Sequence, residues 1–205
     1  MNPKREDMDG SVPDQCGAAL VLLDVINDLD FDSGEALLKN ALPAARKLAE
    51  LKRRAKEANV PSIYVNDNFG RWRSDFHQQL KHVLEEGSRG NPLAELLQPD
   101  EEDYFVLKPQ NSGFYHTQLD LLMQYLGTQK VILTGFATDI CVLFTASDAH
   151  MRNMEVIVPR DCVAANTTED NTRALEHMSR VLDVEVVESV EIDFAKLSAK
   201  TGARR

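Results

Sequence analysis

The chain has few cysteines, no excess of positive charge and no long apolar run. Its three cysteines, Cys16, Cys141 and Cys162, are an odd number without a CxxC pair, so we expect no disulfide framework and a cytoplasmic location. A net charge of −10 disfavours nucleic acids and anionic membrane surfaces as partners. No apolar run approaches the roughly 20 residues that span a bilayer, and no signal peptide is expected in the polar first residues.

Two kinds of binding motif are missing as well. No glycine-rich loop follows the first apolar run, residues 18–23, which weakens any interpretation as a Rossmann-type oxidoreductase. His77 and His82 are five positions apart, a spacing that does not place two side chains on one face of a helix. We therefore predict neither a metal site nor another cofactor.

Short apolar runs alternate with helical patterns along the chain. This alternation predicts one α/β domain, residues 17–194, with a parallel sheet and helices on both of its faces. Residues 1–16 are predicted to be a flexible arm, and residues 195–205 a frayed tail. The predicted strands are residues 18–23, 62–65, 104–107, 130–133, 155–158 and 184–187.

Residues that can carry chemistry follow three of these strands. Asp24 closes the first strand, Lys108 closes the third, and Cys141 follows the fourth, where Gly135 is predicted to turn the chain into a helix. The carboxyl ends of parallel strands lie at one edge of a sheet. A charge at the end of a buried strand is costly unless it has a partner or a task. We therefore expect Asp24, Lys108 and Cys141 to lie close together.

A thiol, a carboxylate and an ammonium form a workable set for acyl transfer. We expect Lys108 and a helix N-terminus to lower the pKa of the Cys141 thiol. Asp24 would take the thiol proton, pass it to an amine leaving group and then activate water. The backbone N–H groups of Ala137 and Cys141 are the candidate oxyanion hole. Two alternatives stay open: a buried structural cysteine, and a non-catalytic redox-sensing or ligand-binding scaffold with a reactive thiol.

Five residues beyond the ends of strands two and three are candidates for binding a small-molecule substrate. The amide and guanidinium groups are suited to anchoring a carboxylate or an amide, and the aromatic rings to covering a planar portion. The alternative for residues 66–72 is a solvated loop on which Trp72 packs. The candidates are Asn66, Asn68, Arg71, Trp72 and Phe114.

The segment from Gly135 to Val142, followed by Thr145 to Ala149, resembles the signature of the isochorismatase-like cysteine hydrolases. Leu23 with Asp24, Lys108 ahead of the Ser-Gly-Phe at 112–114, and Arg160 with Asp161 add to the resemblance, which covers roughly residues 18–187.

The resemblance implies a three-layer αβα fold, Rossmann-like, with six parallel strands in the order 3-2-1-4-5-6. It also implies a catalytic triad of Asp24, Lys108 and Cys141, a cis peptide bond between Phe136 and Ala137, and a homodimer or homotetramer. In that strand order Lys108 starts two strands away from Asp24, so its long side chain has to bring the charge back.

The resemblance further implies hydrolysis of a C–N bond in a small amide or ureido compound through a thioester. Members that are nicotinamidases hold a metal with an Asp-x-His motif and a later histidine. The matching residues here are Asn66, Asp67 and Asn68, which disfavours a metal-dependent nicotinamidase. An enol-ether hydrolase of the isochorismate type is the alternative within the family.

Overall fold

The structure, a computed structural model, describes residues 16–68, 70, 75–85 and 87–197. The strands in these ranges are β1 (Ala18–Leu23), β2 (Ser62–Asp67), β3 (Tyr104–Lys108), β4 (Lys130–Phe136), β5 (Glu155–Pro159), β6 (Val163–Ala164) and β7 (Glu185–Val187). The helices are α1 (Gly34–Glu57), α2 (Phe76–Val83), α3 (Asn91–Leu96), α4 (Leu119–Leu126), α5 (Leu143–Met151), α6 (Thr168–Leu182) and α7 (Phe194–Leu197). A π-helical turn, Thr138–Val142, precedes α5. None of the described helices is both long and apolar enough to cross a membrane.

All strand pairs of the sheet are parallel, in the order β3-β2-β1-β4-β5-β7. This confirms the predicted three-layer fold and its strand order, with β7 as the predicted sixth strand. The short strand β6 was not predicted; it pairs with the end of β4. Two residues are too few to show an apolar period, so nothing in the sequence indicated this strand.

Side chains of the central strand β1 point alternately to two hydrophobic clusters. Leu20 and Leu22 pack in the cluster that contains residues of α1, α2 and α3. Val21 and Leu23 pack in the cluster that contains residues of α4, α5 and α6. Because successive side chains of a strand point to opposite faces, the face on which a residue lies can be assigned by counting along its strand.

Strand β4 continues three residues beyond the predicted end at residue 133, to Phe136. Gly135 lies inside the strand with φ +104°, and a Cβ at this position would lie 2.1 Å from the Leu23 carbonyl oxygen. The expectation that Gly135 turns the chain was therefore wrong. Its lack of a side chain allows β4 to approach β1 closely, and the turn begins at Thr138.

The described part of the chain begins with a buried residue. The Cys16 side chain is 3% exposed, its N–H donates to the Leu126 carbonyl at 2.7 Å, and its carbonyl accepts from the Thr128 hydroxyl at 3.0 Å. Cys16 thus belongs to the folded domain and not to the predicted arm, whose other residues, 1–15, lie outside the described ranges. Of the predicted tail, residues 195–197 belong to α7, and the rest is outside those ranges.

Candidate active site

The carboxyl edge of the sheet brings Asp24, Lys108 and Cys141 together. Lys108 Nζ lies 2.9 Å from Asp24 Oδ2 and 3.4 Å from Cys141 Sγ. Lys108 ends β3, with β2 between it and β1, and its four-carbon stem covers that distance on the α4–α6 side of the sheet. The difficulty raised by the strand order is resolved by the length of the lysine side chain, which is 0% exposed.

Asp24 is held by the backbone of β2. It adopts a left-handed conformation with φ 52°, which aspartate tolerates better than most residues, and its N–H donates to the Val65 carbonyl at 3.0 Å. One carboxylate oxygen, Oδ1, accepts the Asp67 N–H at 2.7 Å. The other, Oδ2, forms an ion pair with Lys108, but its geometry does not meet that of a hydrogen bond. Oδ2 is therefore the oxygen available to accept a proton from the thiol.

The surroundings of the Cys141 thiol favour its protonated form. Burial raises its pKa to about 12, and the negative charge of Asp24 adds to this effect. Lys108 acts in the opposite direction but does not outweigh the other two. Cys141 is also the fourth residue of the π-helical turn and not the first residue of a helix. Lys108 thus lowers the thiol pKa as expected, but burial of the sulfur and the charge of Asp24, which the sequence analysis did not weigh, raise it further.

The pKa values of Asp24 and Lys108 are both raised, but for different reasons. Burial raises the pKa of Asp24, and the positive charge of Lys108 only partly opposes this. Burial alone would lower the pKa of Lys108, but attraction to Asp24, Cys141 and Asp67 outweighs burial and raises it. Asp24 is thus a stronger base than a solvated aspartate, and Lys108 keeps its proton.

The π-helical turn before α5 is positioned by α6. The peptide bond between Phe136 and Ala137 is cis, and the turn starts at the next residue. There the buried Thr138 hydroxyl donates to Asn171 Oδ1 at 2.5 Å. Ala137 and Cys141 lie at the start of this turn and within it. Their role as an oxyanion hole stays a prediction.

Asn171→Ala is expected to destabilise the protein by about 1–3 kcal/mol, because it leaves the buried Thr138 hydroxyl without its acceptor. Urea unfolding followed by circular dichroism measures the loss. Thr172→Ala is the control on the same helix, since the exposed Thr172 hydroxyl bonds only to its own helix, at the Thr168 carbonyl. Equal losses in the two variants would contradict a special role for Asn171.

Two of the predicted substrate-binding residues support loops. Asn66 lies on the α1 face of β2, together with Tyr64, and its Nδ2 donates to the Ile26 carbonyl at 2.5 Å. It therefore points away from the face that holds Lys108, and the expectation that it binds substrate is not supported. The Asn68 side chain accepts the Gly70 N–H at 2.9 Å, which shapes the chain directly after β2.

The other predicted substrate-binding residues fall into two cases. Phe114 is 4% exposed and packs in the cluster of α4, α5 and α6, with the Arg152 guanidinium 4.7 Å from its ring centre. This burial indicates a core residue and not the predicted wall of a pocket. Arg71 and Trp72 lie outside the described residues, and their roles stay predictions.

Asp67 is a site residue that the sequence analysis missed. Its Oδ2 lies 3.4 Å from Lys108 Nζ, and it is the register partner of Lys108 in the sheet. Alternation along β2 places it on the same face as Val65, the face of the Lys108 side chain. The same count can be made from the sequence, where Asp67 otherwise stands out only as part of the incomplete metal motif.

The loop after Lys108 is bound to α5. The Ser112 hydroxyl donates to the Asp148 carboxylate, and the Gly113 N–H donates to Thr145 Oγ1 at 2.9 Å. Because Cys141 lies directly before α5, these bonds link the loop that follows the cation to the helix that follows the nucleophile. In the described part of the chain, no three or more His, Cys, Asp or Glu side chains are grouped so that they could hold a metal ion.

Residues 18–189 match the sequence model of the Isochorismatase domain. The chain belongs to the isochorismatase family of hydrolases. Across nearly the same length it is 39% identical to the uncharacterized isochorismatase family protein YaaI of Bacillus subtilis (strain 168), over 176 residues that make up 85% of this chain and 95% of that protein.

Two further relatives have named activities. The crystal structure of N-carbamoylsarcosine amidase from Thermoplasma acidophilum is similar with a TM-score of 0.66 and 28% identity, covering 86% of this chain and 98% of that one. The ureidoacrylate amidohydrolase RutB of Methylorubrum extorquens AM1 is 35% identical over 84 residues, which are 41% of this chain and 34% of that protein. The similarity to RutB therefore concerns only part of each chain.

Proposed function

We propose that this isochorismatase-family hydrolase cleaves a C–N bond of a small amide or ureido compound, with Cys141 as the nucleophile. The observation that carries the proposal is the buried Lys108 ammonium, 2.9 Å from a carboxylate and 3.4 Å from a thiol. The named relatives support the substrate class. N-Carbamoyl and ureido groups share a carbonyl carbon bonded to two nitrogens, and both names denote enzymes that cleave C–N bonds.

In the first half of the reaction, Asp24 Oδ2 takes the proton of Cys141 as the sulfur attacks the carbonyl carbon. The C–S bond forms, and the carbonyl oxygen becomes an oxyanion that the N–H groups of Ala137 and Cys141 would stabilise. Asp24 then gives its proton to the nitrogen of the leaving group. The C–N bond breaks, and an acyl group remains on Cys141 as a thioester.

In the second half, Asp24 takes a proton from a water molecule that attacks the thioester carbon. The C–S bond breaks, the acid product leaves, and Asp24 returns the proton to the Cys141 sulfur. Lys108 stays protonated throughout and offsets the negative charge that moves between Asp24, the sulfur and the oxyanion. One carboxylate thus serves as base and acid in both halves.

The raised thiol pKa favours this mechanism over a redox sensor. A sensor cysteine reacts through a thiolate that is present at rest. Here burial and the charge of Asp24 raise the thiol pKa, which favours the thiol over the thiolate and gives a base a task at the moment of attack. A carboxylate beside the thiol serves a hydrolase, whereas it suppresses the thiolate on which a sensor depends.

The proposal is tested with a panel of small amides and ureido compounds, extended by one enol ether. Wild-type protein is expected to release ammonia or an amine and, after acid quenching, to carry the acyl mass on the peptide that contains Cys141. Cys141→Ala is expected to lose both signals. Cys162→Ala, which removes a buried thiol from the α1 side of the sheet, is the matched control. Full turnover by Cys141→Ala, or turnover of the enol ether alone, would refute the proposal.

A further inference from the structure

The Lys108 ammonium contacts side chains from three different elements. Asp24 Oδ2 at the end of β1 lies 2.9 Å away, Asp67 Oδ2 at the end of β2 lies 3.4 Å away, and Cys141 Sγ in the π-helical turn lies 3.4 Å away. An ammonium has three N–H donors and no acceptor. Two of these donors are directed at Asp67 and Cys141, and the ion pair with Asp24 adds a third attraction.

Asp24 alone does not keep this ammonium paired during the proposed reaction. When Asp24 takes the thiol proton it becomes neutral, and the negative charge moves to the Cys141 sulfur, 3.4 Å from an ammonium that is 0% exposed. The sulfur that has to attack is then the nearest anion of the ammonium. A proton passed from Lys108 to the sulfur would remove the nucleophile.

Asp67 offers the ammonium a second carboxylate at that moment. Its side chain is 28% exposed, against 6% for Asp24, so its carboxylate is the less buried of the two. Its backbone is held on both sides: the N–H donates to Asp24 Oδ1 at 2.7 Å, and the carbonyl accepts from Nε2 of the buried Gln79 at 3.0 Å. The same residue therefore contacts the general base with its N–H and the cation with its carboxylate.

We propose that Asp67 is a positioning residue whose carboxylate directs the Lys108 ammonium at Cys141 and keeps it protonated while Asp24 carries the thiol proton. The catalytic part rests on the proposed function. The effect of Asp67 on the protonation of Lys108 is expected even without substrate, so this effect and the effect on turnover are tested separately.

Asp67→Asn removes the charge and keeps the shape of the side chain. The protonation of Lys108 is followed by NMR in protein labelled with ¹³C at the lysine Cε, with the Lys108 signal assigned through Lys108→Arg. The midpoint of the Lys108 titration is expected to fall by about one pH unit or more, a tenfold shift of the protonation equilibrium. Asp67→Glu, which keeps the carboxylate, is expected to bring the midpoint most of the way back to its wild-type value. Asp120→Asn, an equal charge change on the exposed surface beside Arg152, leaves the midpoint in place.

A substrate found with the panel supplies the second measurement. Asp67→Asn is expected to lower kcat by about tenfold with KM changed less than about twofold, and to move the alkaline limb of kcat to lower pH. An unchanged Lys108 midpoint in Asp67→Asn overturns the proposal, whatever happens to activity. A large rise in KM with an unmoved midpoint overturns it too, and shows Asp67 contacting substrate. If no compound is turned over, the proposed function fails, and the NMR titration alone still decides how Asp67 acts on Lys108.

Discussion

Asp24→Asn is expected to lower turnover by about 10³-fold while it makes the Cys141 thiol more reactive toward alkylation. The loss of turnover follows because no other carboxylate of the described site lies against both the thiol and Lys108. The gain in reactivity follows because the charge of Asp24 is, after burial, the largest cause that raises the thiol pKa to about 12. Without that charge, the attraction of Lys108 acts on the sulfur unopposed by a carboxylate in contact with it.

Both effects are measured on one preparation. Turnover is measured on the panel compound with the highest wild-type rate, and alkylation by iodoacetamide is followed at about pH 8 through the mass of the Cys141 peptide. Asp28→Asn is the matched control, since Asp28 follows the same strand but pairs with His82 at 3.1 Å. If Asp24→Asn slows both turnover and alkylation, Asp24 holds the site in shape and is not its base. If turnover is unchanged, the acid–base assignment is wrong.

Gly135→Ala is expected to destabilise the protein by about 4 kcal/mol, because a close contact with the backbone adds to the strain of a positive φ. The new Cβ would lie 2.1 Å from the Leu23 carbonyl oxygen and 2.7 Å from the Leu23 nitrogen. These are backbone atoms at the centre of the sheet, so no side chain can rotate away. Relief requires β1 and β4 to separate directly beside Asp24.

The free energy of unfolding in urea measures this loss. Gly87→Ala is the control, because Gly87 also has a positive φ, +93°, but nothing lies within 4 Å of the added Cβ. Its cost is expected to be about 1 kcal/mol, the backbone term alone. Similar losses in the two variants would show that the conformation of Gly135, and not the close approach of the strands, explains the glycine.

Much of the fold followed from local patterns. The continuous apolar run of β1 indicated a strand buried on both faces, and Asp24 and Lys108 stood out because a charge that ends such a strand is costly. The meeting of Asp24, Lys108 and Cys141 could be predicted because parallel strands end at one edge. The strand order came from the resemblance to a family, since apolar periodicity does not say which strands are neighbours.

The details that were missed depend on the third dimension. Asn66 and Asp67 are adjacent in the sequence, but they point to opposite faces of the sheet, and only Asp67 meets Lys108. The pKa of Cys141 depends on how much protein surrounds the sulfur, which no local pattern records. Gly135 looked like a turn residue, because a glycine that permits a close approach of two strands has the same appearance in a sequence.

The hydrogen bonds from Ser112 to Asp148 and from Gly113 to Thr145 determine which segments around the site can tolerate substitutions. They join the segment after Lys108 to the helix after Cys141, so they help to hold the ammonium and the sulfur at a constant distance. An engineer who wishes to change the accepted substrate should therefore leave residues 109–118 untouched. Libraries belong in connections that do not carry this cross-link, where new side chains can alter binding without displacing the reacting groups.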